Sequence, residues 1–102
     1  MATLQEITER IRRAAEAGAA VERSIKLDLK GEGVIHIAGA SVSNDDLPAD
    51  LVVTISRKDL EALGRRELDP MRAIMSGRMK LSDMGLAMKL QPAIQSLFVN
   101  AV

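Results

Sequence analysis

The hydrophobic period changes along this chain, and that change constrains the fold more than any other feature. Leu4, Ile7, Ile11, Ala14 and Gly18 recur every three or four residues, with Glu9, Arg10, Arg12, Arg13 and Glu16 on the other faces. This is the spacing of an amphipathic helix of about four turns, and Thr3-Leu4-Gln5-Glu6 reads as its capping box. The alanine-rich stretch Ala14–Ala20 is helix material. From Ser24 the period is two. Ile25, Leu27 and Leu29 point one way and Ser24, Lys26, Asp28 and Lys30 the other, as on a half-buried strand.

Gly31-Glu32-Gly33 supplies the backbone freedom for a tight reversal into a second strand, Val34-Ile35-His36-Ile37, and Ser41-Val42-Ser43 is a short third strand after Gly39. Asp50-Leu51-Val52-Val53-Thr54-Ile55-Ser56 is β-branched or apolar almost throughout, which predicts a strand in the middle of the sheet buried on both faces. Ser56 caps a helix that stops at Gly64, and Asp69-Pro70 opens another that closes at Gly77. Arg78–Ser82 alternates as a short strand, and Asp83 caps a final helix that Pro92 must interrupt, kink or restart. Strands and helices do not alternate regularly, which argues against a doubly wound parallel sheet. The expected class is α+β, a mostly antiparallel sheet backed by helices.

At 102 residues and 47% hydrophobic content, the chain fits one domain, residues 1–102, with enough apolar material for a real core. Its 14 basic and 14 acidic side chains cancel, leaving no global field to hold a phosphate backbone, so nucleic acid is disfavoured as a partner. The absence of cysteine fits a reducing compartment. The start Met1-Ala2-Thr3-Leu4 lacks the pattern of a signal peptide, and no apolar run approaches the roughly 18–20 residues of a spanning helix. The expectation is a soluble, cytoplasmic protein.

Catalytic chemistry has little to stand on. His36, the single histidine, sits in a strand with no second histidine or cysteine to complete a triad or metal shell, and is expected to have a ring nitrogen satisfied by a neighbour or water. Asp45, Asp46 and Asp50 lack the spacing of a calcium loop and read as turn residues. No glycine motif precedes a helix N-terminus to cradle phosphate. Arg57-Lys58 and Arg65-Arg66 have no interleaved aromatics for base stacking. The expectation is a protein that is not an enzyme and needs no cofactor or metal.

Methionine usage is the unusual feature. Five of the six methionines (Met71, Met75, Met79, Met84 and Met88) fall in one short segment, while Phe98 is the single aromatic residue. Methionine is unbranched and polarizable, so it suits irregular cores and adaptable apolar binding surfaces alike. An empty cavity of about 300 Å³ would cost around 7 kcal/mol, against a net stability of about 5–15 kcal/mol for a domain of this size. Such a space must be filled by ligand, collapsed around by methionines, or shared with a partner chain.

The run ADLVVTISRKDLEALGRRELDPMRAIMSGRMKLSDMGLAMKL, from Ala49 to Leu90, resembles the sterol carrier protein 2 family, most specifically in its last heptapeptide. The hairpin SIKLDLKGEGVIHI and the N-terminal helix also match that family's arrangement. The resemblance implies a five-stranded sheet covered by helices and an apolar tunnel for fatty acids, acyl-CoA, phospholipids or sterols, with no catalytic residues. Carried onto this chain, it gives the wall Met71, Ile74 and Met75 from the Asp-Pro-Met helix, Met79 and Leu81 from the short strand, and Met84, Met88 and Leu90 from the final helix. Leu60 and Leu63 join them by helical spacing, with Val53 and Ile55 as the sheet-side floor. Two departures fall beside this cavity: the family usually has glycine where Ser82 stands and often an aromatic where Ile74 stands. The ending Val99-Asn100-Ala101-Val102 is not a peroxisomal address, which fits a stand-alone bacterial-type member. Lipid carriage, with transient membrane or partner-enzyme contact, is the leading expectation. The alternative is an interaction or dimerisation module presenting its Met/Leu surface to a partner enzyme.

Overall fold

The computed structural model describes residues 3–19 and 21–102, and its first helix begins at the capping box. The Glu6 N–H donates to Thr3 Oγ1 at 3.2 Å and the Thr3 N–H to Glu6 Oε1 at 3.4 Å, opening α1 (Leu4–Ala14). Regular helix ends sooner than the spacing predicts. Ala15–Ala19 forms a wider π-type turn, and Gly18 has φ of 113°, a left-handed value that removes it from any helical face. Met1, Ala2 and Ala20, which figure in the sequence reading, lie outside the described residues.

Strands β1 (Val21–Asp28), β2 (Val34–Gly39), β3 (Ser41–Ser43), β4 (Leu51–Ile55) and β5 (Met79–Leu81) form one sheet in the order β3-β2-β1-β4-β5. The hairpin closes through the Leu29 N–H to the Gly33 carbonyl at 2.9 Å, with Gly31 and Gly33 both at positive φ. Three of the pairings are antiparallel and one, β1 with β4, is parallel. The fold is α+β with a mostly antiparallel five-stranded sheet, as its sequence pattern indicates.

Helices α2 (Arg57–Gly64), α3 (Pro70–Met75), α4 (Met84–Lys89) and α5 (Gln91–Asn100) complete the molecule. Pro92 resolves the sequence ambiguity by restarting the chain: α4 ends, Leu90 leaves helical geometry, and α5 begins with proline in its first turn. Among the described residues, no helix is long and apolar enough to cross a membrane.

Most of the sheet's buried side chains lie on one face, with His36 of β2 buried on the other. Ile25, Leu27, Leu51, Val53 and Ile55 join Ile7, Ile11, Leu60 and Leu97 from the helices in a single core. Strand β4 therefore alternates, with Val52 and Thr54 only half-buried, which corrects the expectation of burial on both faces. Its β-branched residues satisfy the pleat rather than a second layer. The segment between β3 and β4 crosses the other face: His36 Nε2–H donates to the Pro48 carbonyl at 3.0 Å, and Lys26 Nζ pairs with Asp46 Oδ1 at 2.7 Å.

The parallel join is fastened at its start. Asp50 Oδ2 accepts from the Ser24 N–H and Oγ, each at 3.1 Å, and from Arg23 Nε at 3.3 Å, while the Asp50 N–H donates to Ser24 Oγ at 2.8 Å. The Arg23 bond, followed by those from Ser24, holds the Asp50 carboxyl below the usual carboxylate range. An aspartate read as a turn residue is thus the bracket between β1 and β4.

Candidate functional site

Beyond the end of α2 the chain builds an apolar cleft of about 670 Å³, within the several-hundred-Å³ size of small-molecule sites. Local sequence sets its walls. Asp69 accepts from the Arg72 N–H at 3.1 Å to start α3, and Pro70 follows at the first helical position, which brings Met71, Arg72 and Ile74 to the cleft. Asp83 accepts from the Leu86 N–H at 3.0 Å to start α4, and Met84 and Met88, four residues apart, line the facing wall. From β5 come Met79 and Leu81, on the core side of an alternating strand.

The fourth wall is α5. Gln91, Ile94, Gln95 and Phe98 recur at helical spacing along one of its faces, all on the cleft. The wall expected from sequence ends at Leu90 and lacks these four residues, although their 91-94-95-98 spacing is that of a helix face once Pro92 is taken as a helix start. Leu68 and Ala87 complete the apolar lining. The floor is buried, with Leu63, Met79, Ala87 and Phe98 nearly inaccessible, while the lip is open: Met71 is 60% exposed and Met88 70%.

Of the twelve positions named from sequence, the cleft brings together Leu63, Met71, Ile74, Met79, Leu81, Met84 and Met88. It does not include Val53, Ile55 or Leu60, which are fully buried in the core, nor Leu90, buried at the α4–α5 junction. Alternation marks a strand's inward face but not whether the space before it is filled, and here side chains of α1, α2 and α5 fill it. Met75 lies off the cleft and is 82% exposed. Ser82 does not line it either. Its Oγ accepts from the Val52 N–H at 2.9 Å and its N–H donates to the Val52 carbonyl at 3.0 Å, extending the β4–β5 ladder. Ile74 does face the cleft, where an aromatic would narrow it.

Gly64 sets how closely the walls approach. The sequence reads it as a helix stop, and it is the last residue of α2; the left-handed position after the helix is Arg66, with φ of 63°. A Cβ at Gly64 would stand 2.3 Å from the Phe98 carbonyl oxygen and 3.0 Å from Val102. Only hydrogen lets α5 lie this near the end of α2.

The sequence matches the SCP-2 sterol transfer family over residues 4–95. The chain belongs to that family. Over 54 residues it is 46% identical to stomatin-like protein 1 of Homo sapiens, a match covering 52% of this chain and 13% of that longer protein. This member of the SCP-2 family thus spans a small part of that relative's length. Among solved structures, sterol carrier protein 2 like 2 of Aedes aegypti gives a TM-score of 0.74 at 24% identity, covering 87% of this chain and 94% of that one. The solution structure of palmitated SCP2L2 from Aedes aegypti gives 0.68 at 25% identity, covering 91% and 95%. These likenesses identify the architecture as that of SCP-2 domains.

Proposed function

We propose that this chain binds and carries lipid without catalysing a reaction, and that the cleft between α3, β5, α4 and α5 takes the apolar chain. The observation that carries the reading is the cleft itself: a buried apolar floor continuous with an open lip of methionines. Sixteen buried methylenes contribute on the order of 13 kcal/mol gross, at about 0.8 kcal/mol each, before ordering costs. Such burial selects weakly among fatty acids, acyl-CoA, phospholipids and sterols. Membership of the SCP-2 family and the palmitated Aedes aegypti relative support the same reading. The 102 residues act as one lipid-binding unit, in a cytoplasmic setting that suits a chain without cysteine.

Met88→Asp and Met75→Asp test it as a pair, since both side chains are exposed and only Met88 lines the cleft. A carboxylate buried under an acyl chain loses solvation worth several kcal/mol. Fatty-acid affinity, measured by calorimetry, is expected to fall more than tenfold in Met88→Asp and to stay within about twofold of wild type in Met75→Asp. Equal binding by a folded Met88→Asp variant overturns the assignment. The exposure of Met75 outside the cleft supports a second reading, a surface that docks a partner enzyme or a second copy. That reading predicts self-association in light scattering, or a co-purifying protein, together with no lipid uptake.

A further inference from the structure

Few side chains of this protein are open to oxidation. The sequence has no cysteine, tryptophan or tyrosine, and its single histidine, His36, is buried with Nε2 held at the Pro48 carbonyl. Thioether sulfur is therefore the group most open to a two-electron oxidant. Met1 lies outside the described residues, and the other five methionines fall between Met71 and Met88.

The fold sorts those five sharply. Helices α3 and α4 have six residues each, and the residue each buries is an alanine, Ala73 and Ala87. A small side chain at the inward position lets a short helix lie close on its support, and the long methionines are left at its flanks. Met71, Met75, Met84 and Met88 are between 47% and 82% exposed, whereas Met79 on β5 is 5% exposed. Of the four exposed residues, Met71, Met84 and Met88 line the cleft and Met75 does not. Solvent-accessible sulfur thus coincides with the surface offered to an apolar ligand. Leucine would supply similar hydrocarbon there and resist peroxide.

Resting on the lipid-binding reading, we propose that Met71, Met84 and Met88 form a reversible oxidation site through which peroxide lowers the affinity of the cleft for its ligand. The thioether sulfur attacks one peroxide oxygen, and the O–O bond breaks as the S–O bond forms. Sulfur loses two electrons to the peroxide, and the departing hydroxide takes the proton of the transferred oxygen and leaves as water. The sulfoxide oxygen that results is a hydrogen-bond acceptor, hydrated at the open lip. An acyl chain has no donor to replace that water, so seating the chain over a sulfoxide costs desolvation that the thioether does not incur. The same contact protects: a bound chain covers the three cleft sulfurs and leaves Met75 open to the oxidant. Methionine sulfoxide reductases, drawing electrons from a thiol, return the sulfoxide to the thioether.

Delipidated protein is treated with hydrogen peroxide, mapped by peptide mass spectrometry, checked for fold by circular dichroism and titrated calorimetrically with palmitate. Sulfoxide is expected at Met71, Met75, Met84 and Met88 ahead of Met79, with an unchanged spectrum and a fall in palmitate affinity of about tenfold or more. Met75→Leu falls as wild type does. In Met71→Leu/Met84→Leu/Met88→Leu, whatever its starting affinity, peroxide changes binding by less than about twofold. Reductase with dithiothreitol restores wild-type binding, and palmitate added before peroxide slows oxidation at the three cleft positions but not at Met75. Unchanged affinity in folded protein oxidised at all three, an equal fall in the triple leucine variant, or a fall that accompanies loss of the folded spectrum overturns the oxidation site and leaves the lipid cleft standing. So does failure of the three sulfurs to oxidise ahead of Met79. Failure of untreated protein to take up palmitate overturns the lipid reading and the oxidation site with it.

Discussion

Gly64 shows at a single position how this chain ties its fold to its cleft. The hydrogen there lets the Phe98 carbonyl pass where a methyl group would stand 2.3 Å away. Gly64→Ala must displace backbone rather than a flexible side-chain tip, so it is expected to lower stability by about 2–3 kcal/mol, read by urea unfolding. A variant as stable as wild type would show that α5 can retreat freely. The sequence marks the glycine as the end of a helix, which it is, but a one-dimensional pattern does not show that α5 crosses there. Ser82 makes the same point. Its placement beside an expected cavity was legible, but the hydroxyl turns to the Val52 N–H and serves the sheet. The methionines divide similarly, for helical spacing brought Met84 and Met88 to one face while Met75, one residue beyond Ile74, falls outside it.

Among elements, strands and helices were legible wherever period and punctuation agreed. The capping box, the Gly31-Glu32-Gly33 reversal, Asp69-Pro70 and Pro92 each fix a boundary through local chemistry. The α5 wall was not assembled, because resemblance ended at Leu90 and the stripe beyond it mixes two glutamines with two apolar residues. The pairing of β1 with β4 was also beyond the sequence, since parallel neighbours need no turn between them. Asp50 holds that pair, and its pH behaviour follows from its lowered pKa. A depressed native carboxyl contributes stability in full above the unfolded value, near 4, and loses it as pH falls through the lower native value. Asp50→Asn is therefore expected to lower the unfolding midpoint at pH 7 and to make its decline below about pH 4 shallower. A decline as steep as in wild type would place the acid sensitivity elsewhere.

At the scale of the whole molecule, core and cleft share a boundary: Leu63, Met79, Ala87 and Phe98 belong to the hydrophobic core and also form the floor of the cleft, whose outer walls come from α3, α4 and α5. A ligand seated there binds the folded state alone. At a free concentration 100 times its dissociation constant it adds about 2.7 kcal/mol, which raises the unfolding midpoint by about 10–20 °C for a domain of this size. Scanning calorimetry with and without palmitate checks the shift, and an unmoved midpoint at saturation would contradict folded-state binding.

The cleft wall hangs from a slender support. Strand β5 has three residues on the sheet edge, α3 packs chiefly on β5, and α4 packs chiefly on α5. Local opening of such a region requires far less free energy than global unfolding. Amide hydrogens of α3 and α4 should exchange with deuterated solvent through brief partial unfolding, well before those of β1 and β4, and a captured acyl chain should slow the first group while leaving the second unchanged. That pattern of exchange would make these short elements, and not a separate lid, the way into the cleft.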